Sequence, residues 1–119
     1  MQYVIEKKPA FRIVERVETH TTQNRKNIES IPDFWNRANA DGTAETLEKL
    51  ATAPAWLLGV CYENSVKEDG SFEYSIAAIS DMPTPNGYRE RKIPARTWAV
   101  FRCEGKASKA VSETWQKIY

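Results

Sequence analysis

The residues best suited to chemistry in this chain are its aromatics. Four Trp, five Tyr and four Phe in 119 residues are a generous allotment, and they are the one compositional hint of a ligand site. Trp35, Tyr62, Tyr74, Trp98 and Trp115 fall on inward-facing positions. Any one of them can equally be plain core. Trp98 and Tyr62 are the better candidates for lining a site, because each stands mid-strand beside residues of opposite polarity. A Tyr or Trp also carries a polar handle that needs a partner when buried. Carboxylates come second. Glu63 and Glu73 fall on facing strands of a hairpin, and Glu104 ends a later strand. A Glu in a hydrophobic cleft has a raised pKa and binds a cation well; the plainer reading is a solvated strand residue. Glu63 leads because it follows Tyr62, although strand alternation puts the two on opposite faces.

Other chemistry is thin. His20 is the only histidine, so no histidine metal site and no conventional Ser-His or Cys-His nucleophile can be assembled with a spare. It stands among threonines at a strand end and is expected at the surface. Cys61 and Cys103 have no CxxC spacing and no ligand set; both are expected to be reduced in a cytoplasmic protein. The five glycines are isolated, so no loop cradles phosphate. No catalytic residue, metal site or cofactor is expected. Seventeen basic against sixteen acidic residues, a formal charge of +1, leave no electrostatic footprint for nucleic acid. No run approaches the ~20 apolar residues of a membrane span, and the N-terminal stretch has no apolar signal-peptide core.

These side chains need a scaffold, and the pattern supplies one domain over residues 1–119. A first strand runs from Val4 to about Val17, where Phe11, Ile13 and Glu15 alternate and Pro9 marks a kink or edge. A helix follows, with Ile28, Ile31, Phe34, Trp35 and Ala38 as its apolar stripe. Ser30 is expected to cap it, with Pro32 in the first turn and Asp41-Gly42 as its end; Thr43 to Leu50 is a second short helix. Trp56–Glu63 and Phe72–Ile79 are strands flanking a Glu68-Asp69-Gly70 turn. Tyr88–Ile93 is a short strand and Thr97–Cys103 another, after Pro94. From about Ser108, Val111 and Trp115 keep helical spacing up to Tyr119. The fold expected is α+β: a βαββ unit, then a partial second βα unit, forming an antiparallel sheet with helices on one face.

An ordered series of stretches carries a family resemblance over nearly the whole chain. Phe11-Arg12-Ile13-Val14 follows a Lys8-Pro9 pair, Ile31-Pro32-Asp33-Phe34-Trp35 opens the helix, and Gly59-Val60-Cys61-Tyr62 and Phe72-Glu73-Tyr74-Ser75-Ile76 form the hairpin. Ile93-Pro94-Ala95-Arg96-Thr97-Trp98-Ala99-Val100-Phe101 and Thr114-Trp115-Gln116-Lys117-Ile118-Tyr119 complete it. Together they resemble the gyrase-inhibitor-like (GyrI-like) effector-binding domain, found in the C-terminal half of AraC-type regulators and as stand-alone proteins, some on integron cassettes. The resemblance implies two βαββ units whose cleft accepts flat, often cationic, drug-like molecules. Aromatic faces favour such cations, and a buried carboxylate complements their charge.

On this resemblance Trp35, Tyr62, Glu63, Tyr74, Trp98 and Trp115 are the expected ligand-binding residues. The function it implies is a cytoplasmic sensor or effector-binding module of transcription regulation that takes a hydrophobic or cationic small molecule. Two alternatives stand beside it: a topoisomerase-inhibitor-like interaction module, and a hydrolase of reactive drug-like compounds. Hydrolytic members use a Glu with an aromatic neighbour, a pair the sequence does not locate. Family members usually continue through two closing strands beyond the point where this sequence stops. An open sheet edge beside an apolar cavity favours pairing between chains, so a homodimer is expected.

Overall fold

The computed structural model describes residues 3–52, 57–62 and 67–101. They fall into two compact units, one within Phe11–Ile93 and the other holding residues 3–10 and 94–101.

The larger unit is a four-stranded antiparallel sheet with two helices. Its strands are β2 (Phe11–Thr21), β3 (Leu58–Tyr62), β4 (Ser71–Ile79) and β5 (Arg89–Ile93), in the order β3-β4-β2-β5. The helices α1 (Lys26–Ala40) and α2 (Thr43–Leu50) lie between β2 and β3 in sequence. Alternation along the strands sorts side chains onto two faces. Val14 of β2 and Ile76 and Ala78 of β4 pack with Phe34, Ala38 and Leu47 from the helices to make the core. Ile13, Glu15, Ser75 and Ala77, also buried, point to the other face. Burying the large apolar members of this core stabilises the unit by about 1.5–3 kcal/mol each.

Two details depart from expectation. Helix α1 starts at Lys26 rather than Ser30, and Pro32 therefore lies inside it. Ser30 is no cap because its hydroxyl lies 2.7 Å from His20 Nδ1. Asn24 and Arg25 make the entry instead, both at positive φ (53° and 56°), a turn that asparagine tolerates better than most residues. The second departure is His20, which is 4% exposed rather than at the surface. Its even-numbered position on β2 continues the helix-facing row begun by Val14, opposite Phe72. The rings of Phe34, Phe72 and Tyr74 surround it.

In the smaller unit, β1 (Tyr3–Lys8) pairs antiparallel with β6 (Arg96–Phe101), with Val4 opposite Val100 and Glu6 opposite Trp98. The single first strand expected from Val4 to Val17 is thus two strands in two sheets, broken at Pro9-Ala10. Proline has no N–H to give to a ladder, so the chain changes partner there. The α+β class, the βαββ core and the following β5 and β6 stand as read; the helix expected from Ser108 lies outside the described residues.

Candidate functional site

Glu15 is a carboxylate with no exposed surface. A buried charge persists only when paired and hydrogen-bonded, and the sheet register supplies both. Glu15 stands opposite Ala77 on β4 and Arg89 on β5. Tyr62 of β3 stands opposite Glu73 on β4, on the same face. The Tyr62 hydroxyl reaches across and donates to Glu15 Oε1. From the other side Arg89 Nε donates to Glu15 Oε2 at 2.7 Å. Arg89 Nη1 also lies 3.4 Å from Glu73 Oε2 on β4, at the long limit of a hydrogen bond. One guanidinium thereby ties two carboxylates from separate strands.

The Tyr62 ring completes the cluster. The guanidinium carbon of Arg91 sits 4.3 Å from the ring centroid and that of Arg89 sits 5.5 Å away. Both are within the ~6 Å reach of a cation–π contact. Arg89 and Arg91 are two residues apart on β5 and so share this face. Burial pushes the Tyr62 phenol above its ordinary pKa of 10.0, and the neighbouring Glu15 charge pushes it further. Burial alone would lower Arg89, but the hydrogen bond and charge of Glu15, with Glu73, hold it above the ordinary guanidinium value. At neutral pH Tyr62 is therefore a donor and Arg89 a cation. Arg89 Nη2 is buried with no acceptor in hydrogen-bond geometry among the described residues.

The residues singled out from sequence are distributed over different places. Tyr62 is in this cluster. Trp35 and Tyr74 are on the opposite, helix-covered face, where the Trp35 indole N–H donates to the Tyr74 hydroxyl at 2.9 Å. Each satisfies the other's polar group. They lie against β3 at Gly59, where an added Cβ would come within 2.2 Å of the Tyr74 oxygen. Trp98 is on β6 in the smaller unit, half-buried. Glu63 and Trp115, with Glu104 and Cys103, lie outside the described residues; Cys61 is exposed on β3. Glu73, weighed from sequence as a cation-binding cleft carboxylate with a solvated strand residue as the plainer reading, is a second partner of Arg89.

Glu15, Arg89 and Arg91 are the residues that sequence reading missed. One signal was present for Glu15: it continues the alternating row of Phe11 and Ile13. The structure does place a Glu beside an aromatic residue, Glu15 against Tyr62, a juxtaposition not located from sequence. An open groove of about 220 Å³, lined by Arg12, Glu90, Arg91 and Lys92, shares Arg91 with this cluster and falls below the ~300–1,000 Å³ of drug-sized pockets. Among the described residues no three metal-ligating side chains come together, and no helix is long and apolar enough to cross a membrane.

Two solved structures share this fold. SAV2435 bound to tetraphenylphosphonium superposes with a TM-score of 0.82 at 23% identity, over 99% of this chain and 70% of that one. A candidate bacterial transcription regulation protein from Staphylococcus aureus MU50 gives 0.79 at 22% identity, over 99% and 72%. No curated protein matches by sequence. The model of the GyrI-like small molecule binding domain matches all of residues 1–119, and the chain belongs to that family.

Proposed function

We propose that this domain binds a hydrophobic organic cation on the Tyr62 face and serves as the sensing module of a transcription-regulatory system. The observation that carries the reading is the buried Glu15 carboxylate beside an aromatic ring that already holds two guanidiniums. A carboxylate held out of water and a π-face provide the two attractions a flat cation needs. A structural neighbour bound to tetraphenylphosphonium supports the class of ligand, and the transcription-regulation neighbour supports the use made of it. A near-neutral charge balance gives residues 1–119 themselves no electrostatic footprint for nucleic acid.

Titration with tetraphenylphosphonium, followed by tryptophan fluorescence and calorimetry, tests this reading. Saturable binding that weakens about tenfold or more in Glu15→Gln and in Tyr62→Ala is expected. Binding that survives both substitutions would remove the site from consideration. A second reading, hydrolysis of a reactive drug-like compound, is favoured by the Glu15–Tyr62 pair, which has the composition used by hydrolytic members. Mass spectrometry of the ligand over time separates the two: an unchanged mass supports the sensor, and a gain of water supports the hydrolase.

A further inference from the structure

Among the described residues the charges on the Tyr62 face balance. Glu15 and Glu73 contribute two negative charges, and Arg89 and Arg91 two positive ones. The face is therefore not an anionic trap waiting for a cation, because the protein already fills that role with its own side chains. We infer that Arg89 and Arg91 are resident cations that set ligand selectivity, so that an organic cation binds by taking their places on Glu15 and the Tyr62 ring. The inference rests on the reading that the Tyr62 face is the ligand site.

Three features let these side chains yield without unfolding the sheet. Both lie on β5, an edge strand of the four-stranded sheet, so they can swing outward without passing through the core. Among the described residues Arg91 is in no ion pair and stacks on the Tyr62 ring. The Arg89 side chain is 39% exposed and keeps Glu73 within reach when Glu15 is taken. The strand itself has separate anchors on its opposite face. Glu90 accepts from Arg12 Nε at 3.0 Å and from Nη2 at 2.7 Å, so β5 stays in register while Arg89 and Arg91 move. The same geometry makes the face hospitable to an organic anion, since Arg91 and the unmatched Arg89 Nη2 offer positive charge and donors.

Tetraphenylphosphonium and tetraphenylborate test the inference as a pair, because they share a shape and differ in the sign of charge. Their affinity ratio cancels any general loosening of the fold. The wild type is compared with Arg89→Met, Arg91→Met and Lys92→Met, the last removing a charge from the opposite face of the same strand. The cation-to-anion affinity ratio is expected to rise about tenfold in Arg89→Met. In Arg91→Met it should rise about three- to tenfold, the size of one cation–π contact. Lys92→Met should leave it near the wild-type value. If Arg89→Met fails to fold, Arg91→Met carries the test alone, since it leaves Glu15 paired. Cation binding by the wild type with an unchanged ratio in the Arg variants overturns the inference and leaves the reading of the site intact. An equal rise in Lys92→Met also overturns it. If no variant binds the cation, the reading of the site falls and the inference with it.

Discussion

Replacing Glu15 with Gln keeps the side-chain shape and removes one charge, and the structure sets the size of the response. The wild-type carboxylate accepts from two donors, the Tyr62 hydroxyl and Arg89 Nε. A Gln amide has one acceptor oxygen, which stays with Arg89, while its NH2 can donate to the Tyr62 oxygen after that hydroxyl rotates. The hydrogen-bond count is thus nearly preserved, and the loss is mainly electrostatic. Breaking a fully buried ion pair costs about 3–5 kcal/mol. Arg89 is part-exposed and retains Glu73, so the expected cost is lower, about 2–3 kcal/mol. For a chain of this length that is a Tm decrease of roughly 10 °C. Glu73→Gln is the matched control. Its side chain is 38% exposed and its contact with Arg89 is 3.4 Å, so its removal should cost less than about 0.5 kcal/mol. Urea unfolding followed by circular dichroism measures both. Equal stability of Glu15→Gln and wild type, or equal losses in the two variants, would refute the assignment of Glu15 as the anchor.

Three further outcomes are expected. Burial lowers the His20 pKa from 6.5 against the opposing pull of Glu18, with Arg37 lowering it further; the unfolded chain then binds more protons, so stability is full above about pH 6.5 and falls as pH drops through the folded-state value. Urea midpoints between pH 5.5 and 7.5 should show this slope, and His20→Gln should flatten it. Gly59→Ala drives a methyl to 2.2 Å from the Tyr74 oxygen and 3.3 Å from Trp35 Cζ2, a cost of about 1–3 kcal/mol; the penalty should shrink in a Tyr74→Phe background, and an additive double-mutant cycle would count against the contact. Light scattering at high protein concentration should report a homodimer, and a monomer there would dispose of pairing through open strand edges.

Periodic features of the fold were legible because they are local. The stripe Phe34, Trp35 and Ala38, the Asp41-Gly42 stop, the second helix and the β3–β4 pairing all follow from spacing within a few residues. The start of α1 was not, because Ser30 looks like a cap until His20, ten residues earlier, is known to occupy its hydroxyl. The candidate site was the least legible part for the same kind of reason. Arg89-Glu90-Arg91-Lys92 is an unbroken charge run inside the expected strand Tyr88–Ile93. Strand alternation divides it: Arg89 and Arg91 face Tyr62, whereas Glu90 and Lys92 face the Arg12 side. That division gives the run two jobs, one pair packing on the Tyr62 ring and Glu90 anchoring the strand. Only the register of β5 on β2 brings Arg89 to Glu15, 74 residues away in sequence. Even so, the alternation Phe11, Ile13, Glu15 carried an implication. A carboxylate on a buried row requires a cation with enough reach to meet it, and a charge run that alternates on a strand can supply one without burying its other half. An acidic residue breaking an apolar alternation is therefore a better guide to this site than the aromatic residues, most of which fill core positions or lie elsewhere in the chain.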